Sequence, residues 1–151
     1  VTGAQHGRDA GTLVVDAANV VGARPDGWWK DRAGAAARLL DGLAAAVDDP
    51  ELAGRRVVVV LEGRASDARG SWDAIEVVRA ERDGDSAIVD VVAAATRAVG
   101  PADAEGPADA DGARDVLVVT SDRELRRRVE ALGAHVRGAG WLRDLLDTHH
   151  P

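Results

Sequence analysis

Short apolar runs alternate along the chain with longer stretches whose apolar positions recur every three or four residues. Thr12-Leu13-Val14-Val15-Asp16 predicts a buried strand that ends in an acid. Arg56 to Glu62 is a continuous β-branched run, the pattern of a central strand covered on both faces of a parallel sheet. Ile75 to Arg79 predicts a third, shorter strand, Asp115 to Thr120 a fourth and Ala134 to Arg137 a fifth. Between the first two strands, Trp29, Ala33, Ala36, Ala37, Leu40, Leu43, Ala44 and Val47 keep helical spacing. They predict one long helix from Trp28 to Val47, stopped by Asp48-Asp49-Pro50. A second helix runs from Ser86 to Val99, opened by Gly84-Asp85. A third starts at Ser121-Asp122 and reaches about Leu132, with Gly133 as its C-terminal cap. Trp141 to Leu146 predicts a last turn or two. Ala17 to Gly27 and Gly63 to Trp72 read as loops, and residues 100–112, rich in Pro, Ala, Asp and Gly, as a flexible surface loop.

Strands alternating with helices predict a three-layer α/β fold: a parallel sheet wound on both faces, with right-handed crossovers. Residues 1–11 read as a flexible lead, 12–147 as a single domain and 148–151 as a flexible tail. A chain of 151 residues can bury a working core. Phe, Tyr, Met and Cys are all absent, so that core is aliphatic. Without cysteine there is no disulfide, thiolate metal site or Cys nucleophile. The net charge of −7 argues against a broad nonspecific nucleic-acid surface. It leaves room for an enzyme acting on nucleic acid, because an acidic metal site itself adds negative charge. No stretch is long enough for a membrane span, and the polar start lacks a signal-peptide core. The expected location is the cytoplasm.

In a doubly wound sheet, ligands bind off the carboxyl ends of the strands, where the strand order switches. The first strand ends in Asp16, with Asn19 three residues on. The fourth ends in Thr120-Ser121-Asp122. The second helix begins Gly84-Asp85-Ser86 and carries Asp90 further along. If the first and fourth strands are neighbours, Asp16 and Asp122 lie side by side, and the second helix brings Asp85 to the same cleft. Three carboxylates without matching bases repel one another, and a hard cation with oxygen ligands, Mg²⁺ or Mn²⁺, relieves this. Such an ion supplies the chemistry of phosphodiester hydrolysis. The plainer reading of Asp85 and Asp122 is that each caps a helix. Asp16 is harder to explain that way, because a carboxylate beside a buried strand is costly.

LVVDAANVVG resembles the opening strand and Asp-x-x-Asn signature of NYN domains, within the PIN-like nuclease superfamily. VLVVTSDRELRRRVEALGAHV is similar to their fourth strand, Thr-Ser-Asp turn and following helix, and GDSAIVDVVAAA to the helix that supplies the middle acid. The likeness spans roughly residues 12 to 146 and is strongest to small bacterial proteins of the YacP type. It implies a PIN-like fold with sheet order 3-2-1-4-5, a Mg²⁺ or Mn²⁺ site, and endoribonuclease activity on RNA. Asp16, Asp85 and Asp122 would be the metal acids, Asn19 and Ser121 their positioning neighbours, and Glu124 a weaker fourth acid. Two departures stand out. Ser86 occupies a place where relatives often carry a second consecutive acid, for which Asp90 is the available substitute. Glu62 ends the second strand where relatives often have Asp.

Arg24, Trp28, Lys30 and Arg32 follow the first strand and suit a substrate strand, Trp28 by stacking on a base and the cations by meeting phosphate. Trp29 reads as core. Arg123, Arg126, Arg127 and Arg128 form a basic run that is either a backbone contact or simply a solvated helix face. Arg64 and Arg69 are further phosphate candidates. The four histidines have no partner at metal-ligand spacing. Two rival functions remain: a Mg²⁺-dependent nucleotide phosphohydrolase using the same acids, and a non-catalytic nucleic-acid or protein-binding module. The expected partners are RNA or a nucleotide and no membrane, with a homodimer left open.

Overall fold

Five parallel strands form one sheet, β1 (Thr12–Asp16), β2 (Arg56–Leu61), β3 (Ile75–Arg79), β4 (Val116–Val119) and β5 (His135–Arg137), in the expected order β3-β2-β1-β4-β5. The structure is a computed structural model that describes residues 11–22, 27, 30–97 and 115–149. β1 pairs with both β2 and β4, so the switch in strand order lies between β1 and β4. The helices are α1 (Ala17–Gly22), α2 (Arg32–Ala45), α3 (Gly84–Arg97), α4 (Arg123–Glu130) and α5 (Ala139–His149), with a 3-10 turn at Gly63–Asp67 after β2. Most of the expected lead, the loop 100–112, Arg24, Trp28 and Trp29 fall outside the described residues.

The sheet is buried on both faces, and side chains alternate between them along each strand. Leu13, Val15, Val57, Val59, Leu61, Leu117 and Val119 face Leu40 and Leu43 of α2 and Leu142, Leu145 and Leu146 of α5. Val14, Val60, Val116 and Val118 face Ile88 and Val92 of α3 and Leu125 and Val129 of α4. Each fully buried Val, Leu or Ile contributes about 1.5–3 kcal/mol of transfer free energy, so an aliphatic core needs no large aromatics.

Three elements differ from the expectation. Ala17 to Gly22 is a helix rather than a loop: Ala17 and Val20, one turn apart, are both buried, so docking on the core outweighs weak local propensity. The next helix begins at Arg32 rather than Trp28, because Asp31 caps it by accepting from the Gly34 amide at 2.9 Å. α5 is longer than a turn or two and includes Thr148 and His149. Its start is held by the Ser121 hydroxyl, which accepts from the Ala139 amide at 2.9 Å, and at its far end His149 Nε2 lies 2.9 Å from Asp49 Oδ2. Gly133 has φ +99°, a left-handed conformation suited to ending α4.

Candidate active site

The alternation that builds the core also aims the polar residues at the strand ends. Asp16 continues the face of Val14, Glu62 that of Val60, and Thr120 that of Val118. All three therefore project from the carboxyl edge on the side covered by α3 and α4. Asp16 is 8% exposed and Thr120 fully buried, and they are the buried polar side chains among the described residues. The Thr120 hydroxyl donates to Asp16 Oδ2 at 2.9 Å. Asp16 Oδ1 accepts from the Asn19 amide at 3.3 Å, a bond that the first turn of α1 creates.

The turn after β4 is tied to the same centre. Thr120 Oγ1 accepts from the Asp122 amide at 3.1 Å, and Asn19 Oδ1 accepts from the Ser121 amide at 2.7 Å. Asn19 thus positions a backbone turn, and the Ser121 oxygen is engaged with the start of α5. Asp122 is the N-cap of α4, its Oδ1 accepting from the Leu125 amide at 2.9 Å. The capping role weighed for Asp122 is therefore real and occupies one of its oxygens. For Asp85 it is not: Asp83 caps α3 by accepting from the Ser86 amide at 2.7 Å, which leaves the Asp85 carboxylate without a hydrogen bond among the described residues. Glu62 reaches across from the end of β2, and its Oε1 accepts from the Gly84 amide at the start of α3.

The electrostatics join these acids. Burial pushes the Asp16 carboxyl above the ordinary 3.8, opposed by its bonds from Thr120 and Asn19 and reinforced by the charges of Asp85 and Glu62. Asp85 is also raised, first by burial and then by Asp122, Glu62 and Asp83, with Arg128 pulling the other way. Among the described residues, Asp16, Glu62, Asp85 and Asp122 have no ion pair with a Lys or Arg. Their oxygens suit a hard divalent cation in type and charge. In the present side-chain conformations, however, no three His, Cys, Asp or Glu residues among those described are arranged to hold one ion.

The other predicted residues divide. Asp90 is exposed, and Glu124 pairs with Arg127 at 2.8 Å on the surface of α4. Arg123 is exposed at the first position of α4. Of the basic run, it is Arg128 whose charge is felt by Asp85. A cavity of about 310 Å³ opens beside the acids, lined by Ala17, Ala18, Arg32, Glu62, Arg82 and Asp83 among others. A second, of about 380 Å³, is lined by Lys30, Arg32, Arg64 and Asp67, so Arg32 borders both. Thr120, Glu62 and Arg82 were not singled out by sequence reasoning as site residues. The period-two alternation, carried one step past each strand, marks the first two.

The strand order is that of an α/β fold of the PIN-like type. No family model and no curated protein matches the chain. Crystal structures of Rae1 (YacP) from Bacillus subtilis are similar to it. For a tryptophan-to-leucine mutant the TM-score is 0.66 at 22% identity, covering 91% of this chain and 76% of that one. For a second structure of the same protein the TM-score is 0.64 at 22% identity, covering 91% and 74%. At this identity the likeness establishes the fold. Among the described residues, no helix is long and apolar enough to cross a membrane. The similar structures give no support for a homodimer.

Proposed function

We propose that the chain is a divalent-metal-dependent endoribonuclease that hydrolyses phosphodiester bonds in RNA. The observation that carries this reading is the gathering of Asp16, Asp85, Asp122 and Glu62 at the carboxyl edge of the β1–β4 switch, where burial and neighbouring acids raise the proton affinity of Asp16 and Asp85 and none of the four has an ion pair with Lys or Arg among the described residues. Asp16, Asp85 and Asp122 are the residues that would hold Mg²⁺ or Mn²⁺. When bound, the ion supplies Lewis-acid stabilisation of charge on the phosphoryl group. Thr120 and the Asn19 amide hold Asp16 in one orientation, and Asn19 fixes the turn that carries Asp122. Lys30, Arg32 and Arg64, with Arg82 nearer the acids, give an extended substrate phosphate contacts across the two cavities that meet at Arg32. That extension favours an oligonucleotide over a mononucleotide, and the resemblance to NYN domains favours RNA.

The test is cleavage of RNA oligonucleotides, with nucleoside triphosphates as the comparison, in Mn²⁺ and in chelator. We expect Mn²⁺-dependent RNA cleavage that disappears in Asp16→Ala and Asp122→Ala while both variants stay folded. Unchanged cleavage in both variants would reject the assignment, and turnover of triphosphates alone would move it to nucleotide hydrolysis. A non-catalytic module is the second reading. It is favoured by the capping bond that turns Asp122 toward α4 and by the lack of a ready three-ligand arrangement among the described residues. Absence of Mn²⁺ binding at millimolar concentration in calorimetry decides for it.

A further inference from the structure

The metal acids named above do not include Glu62, yet its carboxylate spans the gap between the central strand and α3. The Gly84 amide belongs to the first turn of α3, where backbone N–H groups have no partner within the helix. Its partner is Glu62 Oε1. Gly84 is buried, and a Cβ built there would fall 2.7 Å from Glu62 Oε1. Only glycine therefore lets this carboxylate close on the backbone. Two residues further, the Ser86 amide is capped by Asp83, so the first turn of α3 is pinned from two sides. Asp85 sits between the two pins with its carboxylate unengaged among the described residues, within the electrostatic reach of Asp16. Glu62 leaves the strand on the same face as Asp16, two residues beyond Val60, whose register partner is Asp16.

We propose that Glu62 is a positioning residue: it clamps the first turn of α3 to the end of β2 and so sets Asp85 against Asp16. The clamp works through an acceptor oxygen at the right reach, with the length of Glu bridging the gap between strand and helix. Its contribution to the site passes through the backbone of Gly84. This assignment rests on the metal-site reading above for its consequence, but the clamp itself is tested apart from it.

The experiment uses Glu62→Gln, Glu62→Ala and Gly84→Ala in the full chain, with two readouts. Amide hydrogen exchange at residue 84 reports the clamp, and calorimetric titration with Mn²⁺ reports the acids. Glu62→Gln keeps an acceptor oxygen, so it should keep both the slow exchange and an affinity close to that of the parent. Glu62→Ala should expose the amide and weaken Mn²⁺ binding about 10- to 100-fold, the usual cost of losing an outer partner of a metal ligand. Gly84→Ala should weaken binding similarly with Glu62 intact, because the added methyl pushes the flexible carboxylate away. If Glu62→Gln loses as much affinity as Glu62→Ala, the residue acts by its charge and the positioning role is overturned. Parent-like exchange and affinity in Glu62→Ala overturn it as well. Should the parent bind no Mn²⁺, the metal reading fails on its own. The exchange rates then decide the clamp: faster in Glu62→Ala than in Glu62→Gln upholds it, and equal rates reject it.

Discussion

The Thr120 hydroxyl donates to Asp16 Oδ2 at 2.9 Å, across 104 residues of sequence, and accepts from the Asp122 amide at 3.1 Å. One oxygen thereby joins the acid at the end of β1 to the turn that carries the acid after β4. Thr120→Val keeps the shape and removes both bonds, leaving a buried carboxylate oxygen short of a donor. We expect a loss of about 1–3 kcal/mol in urea unfolding, the cost of orphaning a buried polar group. Thr120→Ser should stay near the parent. Equal stability of the Val variant would show that the bond contributes nothing net.

Asp16 carries a raised pKa because burial opposes its charge. In the unfolded chain it ionises at its ordinary value, while the folded state holds the proton to higher pH. Between those two values the folded state binds more protons, so stability falls as pH rises through the window and stays lowered above it. Asp16→Asn removes the penalty. In metal-free buffer the variant should melt higher than the parent at neutral pH, and the advantage should vanish below pH 3.8. Added Mn²⁺ should raise the melting point of the parent and not of the variant. A difference that does not change with pH would contradict the electrostatic explanation.

Asp122 has two duties that one pair of variants separates. Asp122→Ala removes the cap of α4 and should cost roughly 1 kcal/mol, whereas Asn caps well and should cost little. If the acid also holds metal, both variants lose Mn²⁺ affinity. If it only caps, Asp122→Asn binds as the parent does. Stability and calorimetric titration measured on the same two proteins resolve the duties.

Ile88 is fully buried on the face where α3 meets Val14 and Val60. Ile88→Ala should cost about 2–5 kcal/mol, the range for an aliphatic truncated in a core. Thermal unfolding checks it. A cost well below 1 kcal/mol would mean that α3 is not anchored through this residue.

The strand pattern was legible because each strand is a run of buried aliphatics, and the order expected from the NYN resemblance matches the sheet. Asp16, Asn19 and Ser121 were legible as candidates, since Asp16 ends β1, Asn19 lies three residues on and Ser121 two residues past β4. Less visible were α1, whose helix depends on burying Ala17 and Val20, and the true start of α2 at the Asp31 cap. Glu62 was noticed only as a departure and Thr120 only as a strand end. Their roles consist of bonds to residues 22 and 104 positions away in the chain.

Taken alone, the sequence determined the layered α/β architecture and the placing of acids after strands, because hydrophobic period and chain punctuation are local properties. Only the tertiary structure decided how those acids are used. It turned Asp122 onto the Leu125 amide, left Asp85 unengaged among the described residues, and put Glu62 on the Gly84 backbone. Which oxygen finds which donor depends on how strands in register and helices packed across them bring distant residues together, and no local pattern encodes that distance.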